Sequence, residues 1–221
     1  MRNTRPARQL LLAASLALLP LSQASALTIQ LGDVDFPSQA CVSGDLTQPD
    51  CISPLEFTGA KGGDPDPFNL EIGSDSNTGS TFAASFTFNY LPILGPITRA
   101  AIVLGLWEAD AYVAGNQVKL FTLNGSDITG DLNSVLETPP LGGGREELHY
   151  TVELPSKVFA ELATGTATFY LELQNGGTGG SPYTNNRAGL DFARLTIPEP
   201  GTLALLGFGV AGLAATRRRK H

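Results

Sequence analysis

Thr81-Phe82-Ala83-Ala84-Ser85-Phe86-Thr87-Phe88-Asn89-Tyr90 decides the fold. Phe82, Ala84, Phe86, Phe88 and Tyr90 fall at every second position, separated by small or polar residues. Side chains of a strand alternate between its faces, so this spacing predicts a strand with one aromatic face in a core. Neighbouring stretches read the same way. Gln117–Leu123 ends in Asn124-Gly125, a strong tight-turn signal, and His149–Leu154 alternates polar and apolar before Pro155. Thr166–Leu173 is rich in β-branched and aromatic residues and stops at Asn175-Gly176-Gly177, and Gly189–Ile197 forms a last strand. Ala100–Trp107 is continuously apolar, which predicts a central strand buried on both faces. Ser156–Leu162 reads as a short helix with Ser156 as N-cap. About seven to nine strands, separated by Gly- and Pro-rich loops, predict an all-β fold, a two-sheet β-sandwich of jelly-roll type.

Composition narrows the function. The 221 residues hold 25 Gly and 15 Pro, with only 16% charged residues, unlike a helical bundle. Arg2, Arg5 and Arg8 open the chain and Arg217, Arg218, Arg219 and Lys220 close it, whereas every acidic residue lies between Asp33 and Glu199. The stretch between the basic ends therefore holds 7 basic against 21 acidic residues, a net of −14 in a chain whose total is −7. A body this acidic repels phosphate backbones and excludes nucleic acid as a partner.

The two ends read as addresses. Residues 1–26 show a basic start, an apolar run and the small-x-small site Ala24-Ser25-Ala26, the layout of a signal peptide for the Sec export machinery. Its apolar run of about 12 residues spans only about 18 Å as a helix, too short for a membrane core of about 30 Å, so cleavage after Ala26 is expected. At the other end Pro198-Glu199-Pro200 precedes the apolar stretch Thr202–Ala215 and the basic cluster Arg217–Lys220. That order predicts a hydrophobic transmembrane helix with its basic end on the cytoplasmic side of the inner membrane.

The same order of motif, hydrophobic helix and basic cluster resembles the PEP-CTERM sorting signal of Gram-negative bacteria. The resemblance implies that exosortase, a membrane transpeptidase, processes the chain near Pro198, Glu199 and Pro200. It also implies export through a tethered intermediate to the cell surface or medium, often in bacteria that build exopolysaccharide and biofilm matrix. Phe86-Thr87-Phe88, Pro92, Ile97–Ile102 and Glu108-Ala109-Asp110 are similar to the strand order of some sandwich domains in such proteins, which implies fold alone. The expected organisation is a signal peptide at 1–26, one exported β-sandwich domain at 27–196 and the sorting signal at 197–221.

Residues capable of chemistry are few. Cys41 and Cys51 are the only cysteines of a chain that leaves the cytoplasm, and a disulfide between them is expected. His149 is the only histidine before the terminal His221, no G-x-S-x-G elbow occurs, and Gly207–Gly212 matches a dinucleotide fingerprint without its strand or distal acid. The reading is therefore non-enzymatic.

Asp33 and Asp35 follow the first strand and Asp191 lies in the last, two strands that run side by side in a jelly roll. This makes the three carboxylates a candidate structural Ca²⁺ site, against the plain alternative of acids scattered over an acidic surface. Asp64, Asp66 and Asp75 form a weaker set that lacks the central glycine of an EF-hand loop. Trp107, Tyr112 and Tyr183 are candidates for a platform that stacks on sugar rings, the basis of an alternative reading as a carbohydrate-binding module for extracellular polysaccharide. A hydrolase of that polymer ranks third.

Overall fold

The computed structural model describes residues 26–38, 51–72, 83–109, 118–136, 147–173 and 188–198. Among these residues nine strands make two antiparallel sheets. The first sheet has the order β1 (Ala26–Leu31), β9 (Ala188–Pro198), β4 (Ala101–Trp107), β7 (Glu147–Glu153), with the short β2 (Leu70–Ile72) also on β9. The second has the order β3 (Ala83–Asn89), β8 (Thr166–Leu173), β5 (Val118–Leu123), β6 (Ser126–Asp127). First and last strands are neighbours, and the chain crosses repeatedly between the sheets, the connectivity of a jelly roll.

The decisive stretch behaves as its spacing requires. In β3 Ala84, Phe86 and Phe88 are buried while Ala83, Ser85 and Asn89 face out. Phe86 and Phe88 meet Phe169 of β8 and, through it, Phe121 of β5, an aromatic cluster in the middle of the sandwich. From the first sheet Ile102, Leu104, Leu106, Val152, Leu190 and Leu195 close over it.

β4 lies between β9 and β7, as a central strand should, but both its faces are buried only from Leu104 onward; Ala101 and Val103 remain half-exposed. The cover over its far end is α1 (Pro54–Gly59), a single turn and a half held by a capping box. Ser53 Oγ accepts from the Glu56 amide at 3.2 Å and the Glu56 carboxylate accepts from the Ser53 amide at 2.7 Å. Phe57 of this helix lies on Trp107, with ring centroids 4.9 Å apart. The helix expected at Ser156–Leu162 is present but divided into a 3₁₀ turn, Ser156–Val158, and a short α-helix, Phe159–Leu162. Pro155, not Ser156, holds the N-cap position, so the hydroxyl does not cap this helix. A further helix, Thr129–Leu136, packs on β5.

Asn124 and Gly125 form the hairpin turn with φ of 50° and 89°, the left-handed pair that a two-residue turn demands. Asn124 also ties the turn to β8: its Nδ2 donates to the Thr166 carbonyl at 3.0 Å and its Oδ1 accepts from the Thr168 amide at 2.8 Å. Asn124→Ala removes both bonds and places a Cβ-branched-free but chiral residue in the left-handed region. We expect a loss of about 2 to 3 kcal/mol in urea unfolding, and a smaller loss, about 1 kcal/mol, for Asn124→Gly. Equal losses for the two variants would show that the backbone conformation contributes nothing here.

Candidate functional site: an acidic cluster on the outer face of the first sheet

The outer face of the first sheet carries the site. Across this face β4 presents Gly105 and Trp107, paired with His149 and Glu147 of β7. On its other side β4 pairs with β9, and the register jumps: Gly105 faces Phe192 and Leu106 faces Leu190, leaving Asp191 as the extra residue of a bulge. A bulge bends its strand and re-aims a side chain, and such features are frequent beside functional sites. The same point of β9 is where one neighbour gives way to another: Leu31 of β1 pairs with Ala193, and Leu70 of β2 with Leu190. Asp191 thus sits in a break between β1 and β2.

Two segments cover this break. After β1 the chain turns at Gly32, φ 70°, where an added Cβ would lie 2.4 Å from the Asp191 carbonyl oxygen. It then crosses the sheet as a strap: the Asp35 amide donates to Asp191 Oδ2 at 3.2 Å, and Ser38 Oγ accepts from the His149 amide at 3.1 Å. From the other side come Asp64 and Asn69. Asn69 is buried with φ 53°, and its Nδ2 donates to Asp35 Oδ2 at 2.9 Å and Asp191 Oδ1 at 3.1 Å. At the mouth the carboxylates of Asp33, Asp35 and Asp64 bring one oxygen each within 4.8 Å of one another. The Asp33 amide also donates to Asp64 Oδ2 at 3.5 Å.

The innermost group is Glu147, wholly buried, as is Asp191. Gly105 makes room for it, since a Cβ there would meet the Phe192 ring at 2.5 Å and Glu147 Oε1 at 3.0 Å. The Glu147 carboxyl faces the carboxylate of Asp191, another acceptor, and among the described residues neither of its oxygens meets a hydrogen-bond donor. Nε2 of His149, 3.4 Å from Glu147 Oε1, and Oδ1 of Asn69 are likewise without partners there.

The electrostatics follow from burial. Desolvation, then the neighbouring charges of Asp191 and Asp35, push Glu147 up to about 10, and desolvation raises Asp191 to about 6. Asp35 is raised by burial and by the charge of Asp33; Asp64 is raised by burial and by Asp33. His149 is lowered, chiefly by burial. Every carboxyl that lines the pocket from Asp35 inward is held against its charged form.

Of the residues singled out in the sequence, the structure brings Asp33 and Asp35 together with Asp64, while Asp191 lies deeper and meets the Asp35 amide and Asn69. The structure separates Asp64 from Asp66, which pairs with Lys61 at 2.8 Å, while Asp75 lies outside the described residues. Asn69 and Glu147 escaped the sequence reading, because an Asn in a loop and a Glu in an alternating strand both look solvated. Trp107 has to be corrected as a sugar platform. It is fully buried, stacked on Phe57, and its Nε1 donates to the Ile52 carbonyl at 3.0 Å, so it presents no face to a ligand. Tyr112 and Tyr183 lie outside the described residues, as do Ala24, Glu199, Pro200 and the stretch Thr202–Ala215. Among the described residues no helix is long and apolar enough to cross a membrane. Cys51 is disulfide-bonded, and Cys41 lies outside the described residues.

Comparison with known proteins finds no curated protein that matches the chain. Solved structures match the chain only at low similarity. Dimeric latent PorU from Porphyromonas gingivalis has 12% identity and a TM-score of 0.34, over 79% of this chain and 13% of that one. The plant receptor-like kinase ANX2 has 12% identity and a TM-score of 0.31, over 78% and 38%. The ANX2 ectodomain from Arabidopsis thaliana has 13% identity and a TM-score of 0.31, over 78% and 40%. The chain thus spans well under half the length of these structures, and a likeness this low carries no functional argument. The family comparison is specific and local. It matches residues 196–220 to the PEP-CTERM protein-sorting motif, which runs on from the end of β9. The chain therefore carries a PEP-CTERM sorting signal and is an exported protein, sorted by exosortase and anchored transiently in the membrane.

Proposed function

We propose that this protein is a non-enzymatic component of the cell envelope or exopolysaccharide matrix, delivered by the Sec machinery and released or re-anchored at the surface by exosortase. The observation that carries the reading is the sorting motif at residues 196–220, joined without a linker to the last strand of a sandwich domain. The chemistry of the body agrees with a structural role. Among the described residues His149 is half-buried against Phe192, and its backbone amide donates to the Ser38 hydroxyl of the strap. A Cys41–Cys51 disulfide, closing a short loop beside the buried Ile52, suits an oxidising destination. The burial of Trp107 withdraws the strongest aromatic from a sugar-binding alternative.

Intact mass of the protein recovered from the surface and medium of its host tests this reading. The expected species begins at Leu27, lacks Arg217–His221 and gains two alkyl groups only after reduction. In a Glu199→Ala variant the basic tail stays on. Persistence of Arg217–His221 in the unaltered surface protein would overturn exosortase sorting as its route, and two thiols alkylated before reduction would remove the disulfide.

A further inference from the structure

We infer that the pocket formed by Asp35, Asp191, Glu147 and Asn69, with Asp33 and Asp64 at its mouth, is a binding site for one hard divalent cation of the Ca²⁺ type. Acidic residues gathered on an acidic protein do not make a site. Here the second observation is Glu147: its side chain is fully buried, it faces the Asp191 carboxyl, and neither of its oxygens meets a donor among the described residues. Without an ion the pair can only share a proton, Glu147 donating to Asp191; ionised, the two buried carboxylates need a cation beside them. Asn69 repeats the signal. Its Nδ2 bonds the Asp35 and Asp191 carboxylates while its Oδ1 has no partner, so a half-turn of the amide exchanges a donor for an oxygen ligand.

The dimensions suit calcium. Oxygens around Ca²⁺ lie about 2.3 to 2.6 Å from the ion, so opposite ligands stand about 5 Å apart. The oxygens of Asp33, Asp35 and Asp64 fall within 4.8 Å of one another, and Asp35 belongs both to this group and to the inner one. The donors are carboxylates and an amide, an oxygen set that Ca²⁺ accepts in irregular geometry. Mg²⁺ would require near-octahedral order, and Zn²⁺ would favour thiolate or imidazole ligands. His149 is the one imidazole among the described residues, its Nε2 3.4 Å from Glu147 Oε1, and a single imidazole does not make a zinc set.

The fold builds the site from four places far apart in sequence: the strap after β1, the segment before β2, the start of β7 and the bulge of β9. A cation bound there joins the strap to the sheet. Its loss leaves the same carboxyls repelling one another beneath the strap. The site is independent of the matrix role proposed above, and its test uses no property of the sorting signal.

The test is calcium titration of the exported protein after chelation, by calorimetry and by thermal unfolding. We expect about one Ca²⁺ per chain and a rise in Tm of about 5 to 10 °C at a Ca²⁺ concentration about 100-fold above Kd. Glu147→Gln keeps the shape but removes a charge, and should lower Ca²⁺ affinity at least about 10-fold. Asp35→Asn should do the same, and because it lies in the strap it serves if the sheet variant fails to fold. Asp66→Asn, whose partner is Lys61, should leave the affinity unchanged. A Tm that moves by less than about 1 °C, with no binding heat, overturns the inference and leaves Glu147 as a protonated acid sharing its proton with Asp191. An equal shift with Mg²⁺ or Zn²⁺ at the same concentration overturns the assignment to calcium.

Discussion

Phe169→Ala should lower the stability of the domain by about 3 to 5 kcal/mol, the range for removing a fully buried aromatic ring. Phe169 sits in β8, the central strand of the second sheet, and is wholly buried. Its ring stacks on Phe86 at 5.5 Å and Phe121 at 5.6 Å, and meets Phe88 edge-on at 5.9 Å. One substitution therefore strips contacts from both long strands beside it, β3 and β5. Because strands on both sides hold their rings in place by backbone pairing, the space left behind cannot close. Domains of this size lose about 2 to 4 °C of Tm per kcal/mol, so a fall of about 6 to 20 °C is expected in thermal unfolding. Phe169→Leu should recover more than half of the loss. A fall of under 3 °C for the alanine variant would place the centre of the core elsewhere.

Gly189→Ala is the second large effect, and it works by adding a single carbon. A Cβ at this position would lie 2.2 Å from Phe57 Cε1 and 2.4 Å from Cζ. Phe57 is fully buried between this glycine and Trp107, which pairs with Gly189 across the strands. The ring has nowhere to slide, because its far side already stacks with Phe36 at 6.1 Å. The overpacking and the lost stacking together should lower stability by about 2 to 4 kcal/mol in urea unfolding. Combining it with Phe57→Leu should give clearly less than the sum of the two single losses, since both act on one contact. Strict additivity would show that the helix and the sheet do not meet through this pair.

Those two rings also show what the sequence discloses and what it withholds. Phe86, Phe88 and Phe169 were legible because a strand's period of two is written in consecutive residues, and the core needs only that alternation. The Asn124-Gly125 turn was legible for the same local reason. Trp107 was not: its neighbours Leu104 and Leu106 reveal a strand, but its cover arrives from Ile52 and Phe57, about fifty residues earlier. Burial supplied by a distant segment leaves no mark beside the residue it buries. Asp191 carried half its message. Its nearness to Asp33 and Asp35 follows from pairing of the first and last strands, whereas the bulge that aims it appears only when β9 is matched to β4. Glu147 had no local signal, because Glu147, His149 and Thr151 alternate as an ordinary wet face does. The strap turns the first two of them inward.

The register of β1 on β9 has a mechanical consequence. Ala26 pairs with Pro198 and Leu27 with Ile197, so the point where cleavage is expected from the sequence and the start of the sorting motif occupy one corner of one sheet. Cleavage after Ala26, where the sequence predicts it, would cost β1 its first residue and no more. The first proline of the motif is itself the last residue of the ladder. An enzyme that grips an extended peptide around Pro198 must therefore peel Ile197 and Thr196 away from Leu27 and Thr28 before it can cut. On the exosortase route proposed above, pairing at this corner should slow processing, and a substitution that weakens it should be processed faster.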